Sequence, residues 1–269
     1  MSPKIIEKET EKVLIVPIEE EKIETIKIST DLDRWQPKTD LGKKVKSRQI
    51  TTMDEVIASG KPILEPEIVD LLLPNLESDL LLIGQSKGKF GGGSRRVFRQ
   101  TQKKTKEGNK PKFSTYAVIG NKDGYVGLGF GKAKETVPAR EKAVRKAKLN
   151  IIKVVRGSGS WADARTAPNS IPFAVMGKCG SVTVELKPAP KGTGLKAQKE
   201  VAKILKLAGV QDIWSKVRGQ SRNMINVVKA LEDALHKLNS TKVQDKYYKS
   251  LSIIHGPKPI ENKENKTTE

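Results

Sequence analysis

The sequence predicts an α+β protein of two small units behind an N-terminal extension, and three observations carry that expectation. Between residues 80 and 149, apolar strand-like runs precede one alanine-patterned helix, giving a β-β-β-α order. Between residues 171 and 238 the order is β-β-α-β-α. The chain is 269 residues long and only 36% hydrophobic and 4% aromatic, which suits two modest aliphatic cores with polar arms and no single large core.

The elements follow in order. Residues 1–32 are rich in Glu, Lys and Ile without convincing caps or turns, and are expected to be a flexible arm. Residues 33–75 form an extension. In it, Thr52 and Glu55 have capping-box spacing for a helix that runs to about Ser59 and is ended by Gly60. Pro66 opens a second helix that Pro74 stops. The preceding Leu41-Gly42-Lys43-Lys44-Val45-Lys46 reads only as a basic segment.

The first domain spans 76–156. Leu80 to Ile83 is expected to be a buried strand, followed by a glycine-rich basic loop from Gly88 to Gly93. A strand over Arg95–Gln102 leads to a turn over Lys103–Lys112, where Gly108, Asn109 and Pro111 stand among lysines. Phe113–Ile119 and Tyr125–Phe130 pair about the tight turn Asn121-Lys122-Asp123-Gly124. A helix capped by Thr136 then buries Ala139, Ala143, Val144 and Ala147, leaving Arg140, Lys142, Arg145, Lys146 and Lys148 for its outer side.

Residues 157–170 read as a linker and 171–240 as the second domain. Its hairpin joins Ile171–Met176 to Ser181–Leu186 around Gly177 and Gly180. A helix ending at Gly209, a strand Ile213–Val217 and a final helix through Ile225, Val228, Leu231, Leu235 and Leu238 complete it. Residues 241–269 are expected to be a tail.

Charge narrows the function. The chain has 51 Lys and Arg against 31 Asp and Glu, a formal +20. Residues 85–156 hold 20 of those cations and four acids (Glu107, Asp123, Glu135 and Glu141), a local +16. Concentration of this kind implies an anionic partner, nucleic acid before a membrane surface. With roughly 6–10 phosphate contacts, affinity would fall about 10³–10⁵-fold between roughly 50 and 200 mM salt. Aromatics in the stretch are sparse, so backbone and shape recognition of folded RNA fits better than base stacking there.

Other chemistries find little support. Gly124–Lys132 fails the phosphate-loop pattern at Val126 and Ala133 and fails the dinucleotide fingerprint at Lys132. Its glycines fit close backbone approach instead. His236 and His255 are the only histidines and Cys179 the only cysteine. No catalytic residue, metal site or cofactor is expected. The lone cysteine, an N-terminus without a secretory pattern and the lack of a long apolar run point to a cytoplasmic protein without a membrane partner.

Several separated motifs resemble the small-subunit ribosomal protein five family, in the family's order. Phe113 to Gly131, with the following helix and Ala147-Lys148-Leu149-Asn150, is similar to its first domain. Val184-Glu185-Leu186-Lys187-Pro188-Ala189-Pro190-Lys191-Gly192-Thr193-Gly194-Leu195, Leu207-Ala208-Gly209-Val210-Gln211-Asp212-Ile213-Trp214 and Asn226 are similar to its second. Trp35, Pro37, Thr39, Leu41-Gly42 and Glu65-Pro66-Glu67-Ile68-Val69-Asp70 resemble the N-terminal extension of archaeal and eukaryotic-type members. The match runs over about residues 33–255.

The resemblance implies a double-stranded-RNA-binding-like first domain and a second domain with a left-handed crossover. It implies a structural, non-enzymatic constituent of the small ribosomal subunit that binds small-subunit rRNA near the mRNA entry path. Neighbouring proteins three, four and eight and an influence on decoding accuracy come with it. By position, the family's basic β-loop corresponds to Lys103–Lys112.

Three departures stand out. The stretch Gln85–Arg99 is longer than the family pattern. Ser158, Asp163, Arg165 and Asn169 occupy places where archaeal relatives carry cysteines and a histidine, so no metal site is carried over. Ser221–Asn226 looks more bacterial, although an archaeal source is favoured.

The residues expected to meet RNA are Lys87, Lys89, Arg95, Arg96, Arg99, Lys103, Lys104, Lys106, Lys110 and Lys112. Second choices are Lys132, Lys134, Lys191, Arg218 and Arg222. Arg34, Trp35, Lys43 and Lys44 are expected to anchor the extension. Their work is electrostatic positioning and not base reading. The rival reading is a free-standing double-stranded-RNA-binding regulator or assembly factor, against which the second domain argues. An RNA-acting enzyme lacks clustered catalytic groups, and a membrane-surface protein lacks a basic helix with large apolar residues.

Overall fold

A computed structural model describes residues 35–85, 95–163 and 167–257. The extension contributes three short helices, α1 (Asp40–Lys46), α2 (Met53–Ala58) and α3 (Glu67–Leu72). The Thr39 side chain caps α1 by accepting from the Gly42 N–H at 3.1 Å. At α2, the Thr52 hydroxyl accepts from the Glu55 N–H, while the Glu55 carboxylate accepts in turn from the Thr51 N–H. The expected helices at 52–59 and 66–73 are present; α1 stands where only a basic segment is expected.

The first sheet comprises β1 (Glu77–Leu81), β2 (Arg99–Thr105), β3 (Gly108–Gly120), β4 (Tyr125–Ala133) and β5 (Ile151–Lys153). Its centre is β3, flanked by β4 on one side and by β1 and β2 on the other. Helix α4 (Thr136–Leu149) follows β4. Several boundaries shift from expectation. β1 begins at Glu77, and only Leu81 within it is buried. Glu135, not Thr136, is the N-cap of α4, and no side chain caps it. Lys148 is not free for the outer side of α4, because it pairs with Asp70 at 2.7 Å.

The glycines of β4 explain how α4 sits. A Cβ added at Gly127, Gly129 or Gly131 would stand 2.2, 2.1 or 2.1 Å from the carbonyl oxygens of Ala147, Ala143 and Ala139. Two residues of strand advance about 6.6 Å and four residues of helix about 6 Å. The two small-residue rows therefore run in step, and backbone meets backbone. All three alanines are fully buried.

The second sheet runs in the order β7 (Val175–Cys179), β8 (Val182–Pro188), β10 (Ile213–Arg218), β9 (Leu195–Lys196). Its helices are α5 (Lys199–Leu207) and α6 (Met224–Ser240). The expected β-β-α-β-α order holds, with β9 added. The first hairpin turns only at Gly180-Ser181; Gly177 lies inside β7, where its missing Cβ admits Ala230 O of α6.

The described parts of the expected linker and tail are packed into the fold. Residues 157, 158 and 160 are buried: Gly157 bridges Ser170, and Ser158 N–H donates to Leu251 O at 2.7 Å. The expected tail contains α7 (Asp245–Ser250) and β11 (Ile254–His255), the latter paired with β6 (Val155–Arg156). Arg156, almost fully buried, donates to Asp123 Oδ1 at 2.6 Å and to Gly256 O at 2.8 Å.

The units share one core. Tyr116, Val118, Val126 and Leu128 of the first sheet join Leu186, Ile204, Leu205 and Leu231 of the second unit. The β3–β4 turn is held to the end of α5 by Lys122 N–H to Leu207 O (2.9 Å) and Gly124 N–H to Ala208 O (3.1 Å). The extension has its own cluster of Leu41, Val45, Met53, Val56, Ile68 and Val69, closed by Tyr125. Tyr125 donates to Asp54 at 2.5 Å, and Lys153 pairs with the same carboxylate at 2.8 Å.

Gly129→Ala is expected to lower stability by about 3 kcal/mol, since its methyl would overlap the α4 backbone. Gly60→Ala, with open space around a φ of +65°, should lose only about 1 kcal/mol. Equal losses in urea unfolding would remove the flush-packing account. Burial pushes the Asp54 carboxyl up, but the hydrogen bonds from Lys153 and Tyr125 outweigh it and hold it below its usual 3.8. A depressed carboxylate contributes stability above its unfolded value and loses it as pH falls through the folded value. Asp54→Asn should therefore speed amide exchange in α2 near neutral pH, and the difference from wild type should close below about pH 3.8. A difference that persists in acid would assign the effect to something other than the charge.

Candidate RNA interface

The hairpin β2–β3 is longer than the sequence suggested. β2 covers Arg99–Thr105 and β3 starts at Gly108, so the turn shrinks to Lys106-Glu107 and the expected turn residues become strand. β4 ends opposite Phe113, whereas residues 108–112 pair with β2 alone. The hairpin thus extends past the sheet as a two-stranded ribbon of five residue pairs, roughly 17 Å long. Pro111 is tolerated there because its strand has only one neighbour.

Strand alternation sorts the cations. Lys103 stands directly opposite Lys110, and Thr101 opposite Lys112; Arg99 continues that face toward Lys132 across Ser114. Lys104 takes the other face, beside Asn109. All five lysines of the ribbon, Lys103, Lys104, Lys106, Lys110 and Lys112, are exposed. Directly opposed like charges destabilise a strand pair. The ion pair of Lys110 with Glu107 at 2.5 Å relieves this at the tip.

A second basic group lies at the ribbon's base. Arg95 Nη1 donates to Arg222 O at 3.0 Å, joining the two units. Arg95, Arg99 and Arg222 line a cleft with Gln220, Asn223 and Gly84. Arg96, beside Arg95 in sequence, and Lys134, two residues after Lys132, are exposed. Lys191 is exposed on the β8–β9 connection, and Arg218 on β10 lies 3.9 Å from Glu185.

The expected extension residues divide. Trp35 packs half-buried against the α1–α3 cluster, and its carbonyl accepts from Lys46 Nζ at 2.5 Å. Lys43 and Lys44 are exposed on α1. Lys87, Lys89, Arg34 and Arg165 lie outside the described residues, as does the glycine-rich loop 88–93.

Sequence reading passed over the outer face of the second sheet, with Lys187, Lys196, Trp214 and Lys216. The alternation Ile213-Trp214-Ser215-Lys216-Val217-Arg218 was the available signal. Among the described residues, no three His, Cys, Asp or Glu side chains are grouped to hold a metal ion. No described helix is long and apolar enough to cross a membrane.

Comparison with known proteins identifies the family. Residues 97–155 match the family model "Ribosomal protein S5, N-terminal domain", and residues 177–247 match "Ribosomal protein S5, C-terminal domain". The small ribosomal subunit protein uS5 of Nanoarchaeum equitans is 49% identical over 226 residues, 84% of this chain and 97% of the relative. The uS5 protein of Methanocaldococcus jannaschii is 43% identical over 226 residues, with the same coverage. That of Pyrobaculum aerophilum is 44% identical over 205 residues, 76% of this chain and 87% of the relative. With both domain models matched in order and archaeal relatives aligned along most of its length, the chain belongs to the ribosomal protein S5 family.

Proposed function

We propose that this chain holds small-subunit rRNA through the β2–β3 ribbon, with the arginine cleft at its base as a second point of attachment. As a member of the S5 family it is a non-enzymatic structural constituent of the small ribosomal subunit, working in translation. The observation that carries the RNA reading is the Lys103–Lys110 pair. A projecting ribbon that sets two lysines face to face is destabilised; Glu107 offsets the charge of Lys110 alone, and a phosphate between the two lysines would offset both. Arg95, Arg96, Arg99, Lys112, Lys132, Lys134 and Arg222 would extend the contact along the same side of the first unit and into the cleft. Lys87, Lys89 and Arg34 belong to the proposal on charge alone.

The finer reading follows the family. The first unit, 76–156, serves as a double-stranded-RNA-binding-like domain; four strands precede α4 and β5 follows it, so its sheet has two strands more than the expected β-β-β-α order. In the unit over 171–240, β9 and β10 pair in parallel through α5, the connection proposed to cross left-handed. The protein sits at the mRNA entry region beside proteins three, four and eight and supports decoding accuracy. The cytoplasm is its compartment.

In a sucrose gradient of lysate at moderate magnesium, the protein is expected in the small-subunit fractions. Recovery only as a free species would end the ribosomal reading. Reversing Lys103, Lys104 and Lys106 to Glu should lower rRNA affinity and reduce the slope of log K against log salt by about 0.9 for each phosphate no longer neutralised. An unchanged slope would move the RNA-binding residues away from the ribbon.

A further inference from the structure

The two faces of the second sheet differ in character. Val175, Gly177, Val182, Val184, Leu186 and Ile213 are buried, and α6 packs against β7 and β8 on that side. The alternate residues point away from it. Met176 is 59% exposed and Trp214 45%. Around them stand Lys178, Lys187, Lys196, Lys216 and Arg218, all exposed. Trp214 is directly opposite Lys187 on β8 and level with Lys196 on β9. The next row sets Lys216 opposite Glu185 and Glu185 opposite Met176. Glu185 is the acid of these rows, and it is held by Lys187 at 3.1 Å and by Arg218 at 3.9 Å.

We infer that this outer face is a second RNA surface, on which Trp214 stacks against an unpaired base while Lys187, Lys196 and Lys216 contact the flanking phosphates. Any exposed tryptophan invites a partner, but the surround selects its chemistry. Cations on both sides of the ring match a nucleotide strand, whose bases offer faces and whose backbone offers charge at each step. A protein partner would have to bury several lysines, which are depleted from the cores of protein interfaces. This surface differs from the ribbon in its mode of recognition: the ribbon carries charge without aromatics, and this face carries both. The inference rests on the ribosomal reading but not on the ribbon as the contact.

Two experiments decide it. With p-benzoylphenylalanine in place of Trp214 in the full chain, assembled into small subunits and irradiated, the crosslink should form to rRNA. A crosslink to another protein, or none, overturns the inference, and the former makes the face a protein contact. In the isolated full chain, Trp214→Ala should weaken binding of a single-stranded RNA ten-mer by about 5–100-fold, with Trp214→Phe recovering most of the loss. The triple ribbon variant (K103E/K104E/K106E) should retain the Trp214-dependent part of that affinity. If Trp214→Ala has no effect, or its effect disappears in the ribbon variant, the sheet face is not the site. Either result leaves the salt-slope test of the ribbon standing on its own.

Discussion

The contact on which the rest depends is the seating of α4 against the bare backbone of β4. Ordinary helix–sheet packing interposes a layer of large apolar side chains. Here Gly127, Gly129 and Gly131 remove that layer from the strand, and Ala139, Ala143 and Ala147 reduce it to methyl groups on the helix. The same device recurs in the second unit, where Gly177 admits the backbone of α6 at Ala230 and Ala234. Close approach replaces bulk with many short dispersion contacts. A chain that is 36% hydrophobic and 4% aromatic can therefore still enclose a continuous core. It also fixes α4 in rotation, since turning it would drive Arg140, Lys142, Arg145 or Lys146 toward the strand.

The other face of the first sheet is fixed by a different kind of contact. Tyr116, Val118, Val126 and Leu128 supply the apolar part, while backbone hydrogen bonds to Leu207 and Ala208 hold the β3–β4 turn in register. Gly209, at φ +85°, ends α5 and lets Lys122 O approach where a Cβ would stand 2.3 Å away. Glu200, nearly buried, accepts from Leu82 N–H at 2.9 Å and ties β1 to the same helix. These links make the orientation of the ribbon a property of both units. Arg95, reaching the Arg222 carbonyl, continues the same connection into the basic cleft.

Elements with side-chain periodicity were legible in the sequence, and elements determined by their neighbours were not. The capping box at Thr52, the stop at Gly209 and the alternation of β8 and β10 could be read from residues alone. Helix α1 was hidden by Gly42, a poor helix former. A Cβ at Gly42 would stand 2.9 to 3.1 Å from Glu65, Pro37 and Thr39, and that crowding comes from residues 23 positions away as well as from nearby ones. The ribbon reads as a turn in sequence because Gly108, Asn109 and Pro111 are strand breakers in a sheet interior but are admissible where a strand has one partner. The packing of residues 157–160 was hidden because Gly and Ser owe their place to backbone partners elsewhere in the chain, Ser170, Ile171 and Leu251. For the RNA interface, the charge was legible and its division between two faces was not, since a face exists only once the register is known.

The distribution of charge then follows from the packing. A flush α4 and a shared core leave few large apolar side chains at the surface, so the exterior of each unit is available for cations. They gather where cations outnumber acids: on the ribbon, where Glu107 is paired with Lys110, on the outer side of α4, and on the outer face of the second sheet, where Glu185 is paired with Lys187 and Arg218. The acids that are present are mostly engaged elsewhere, with Asp54 and Asp70 docking the extension, Asp79 pairing with Lys203 and Asp123 with Arg156. Three of these four ion pairs join the extension or the second unit to the first, and the uncompensated charge is directed outward. Repulsion among those outward cations opposes the folded state in isolation, and phosphate binding removes it. Under the proposed contacts, the same residues that weaken the free protein would couple its final stability to the RNA.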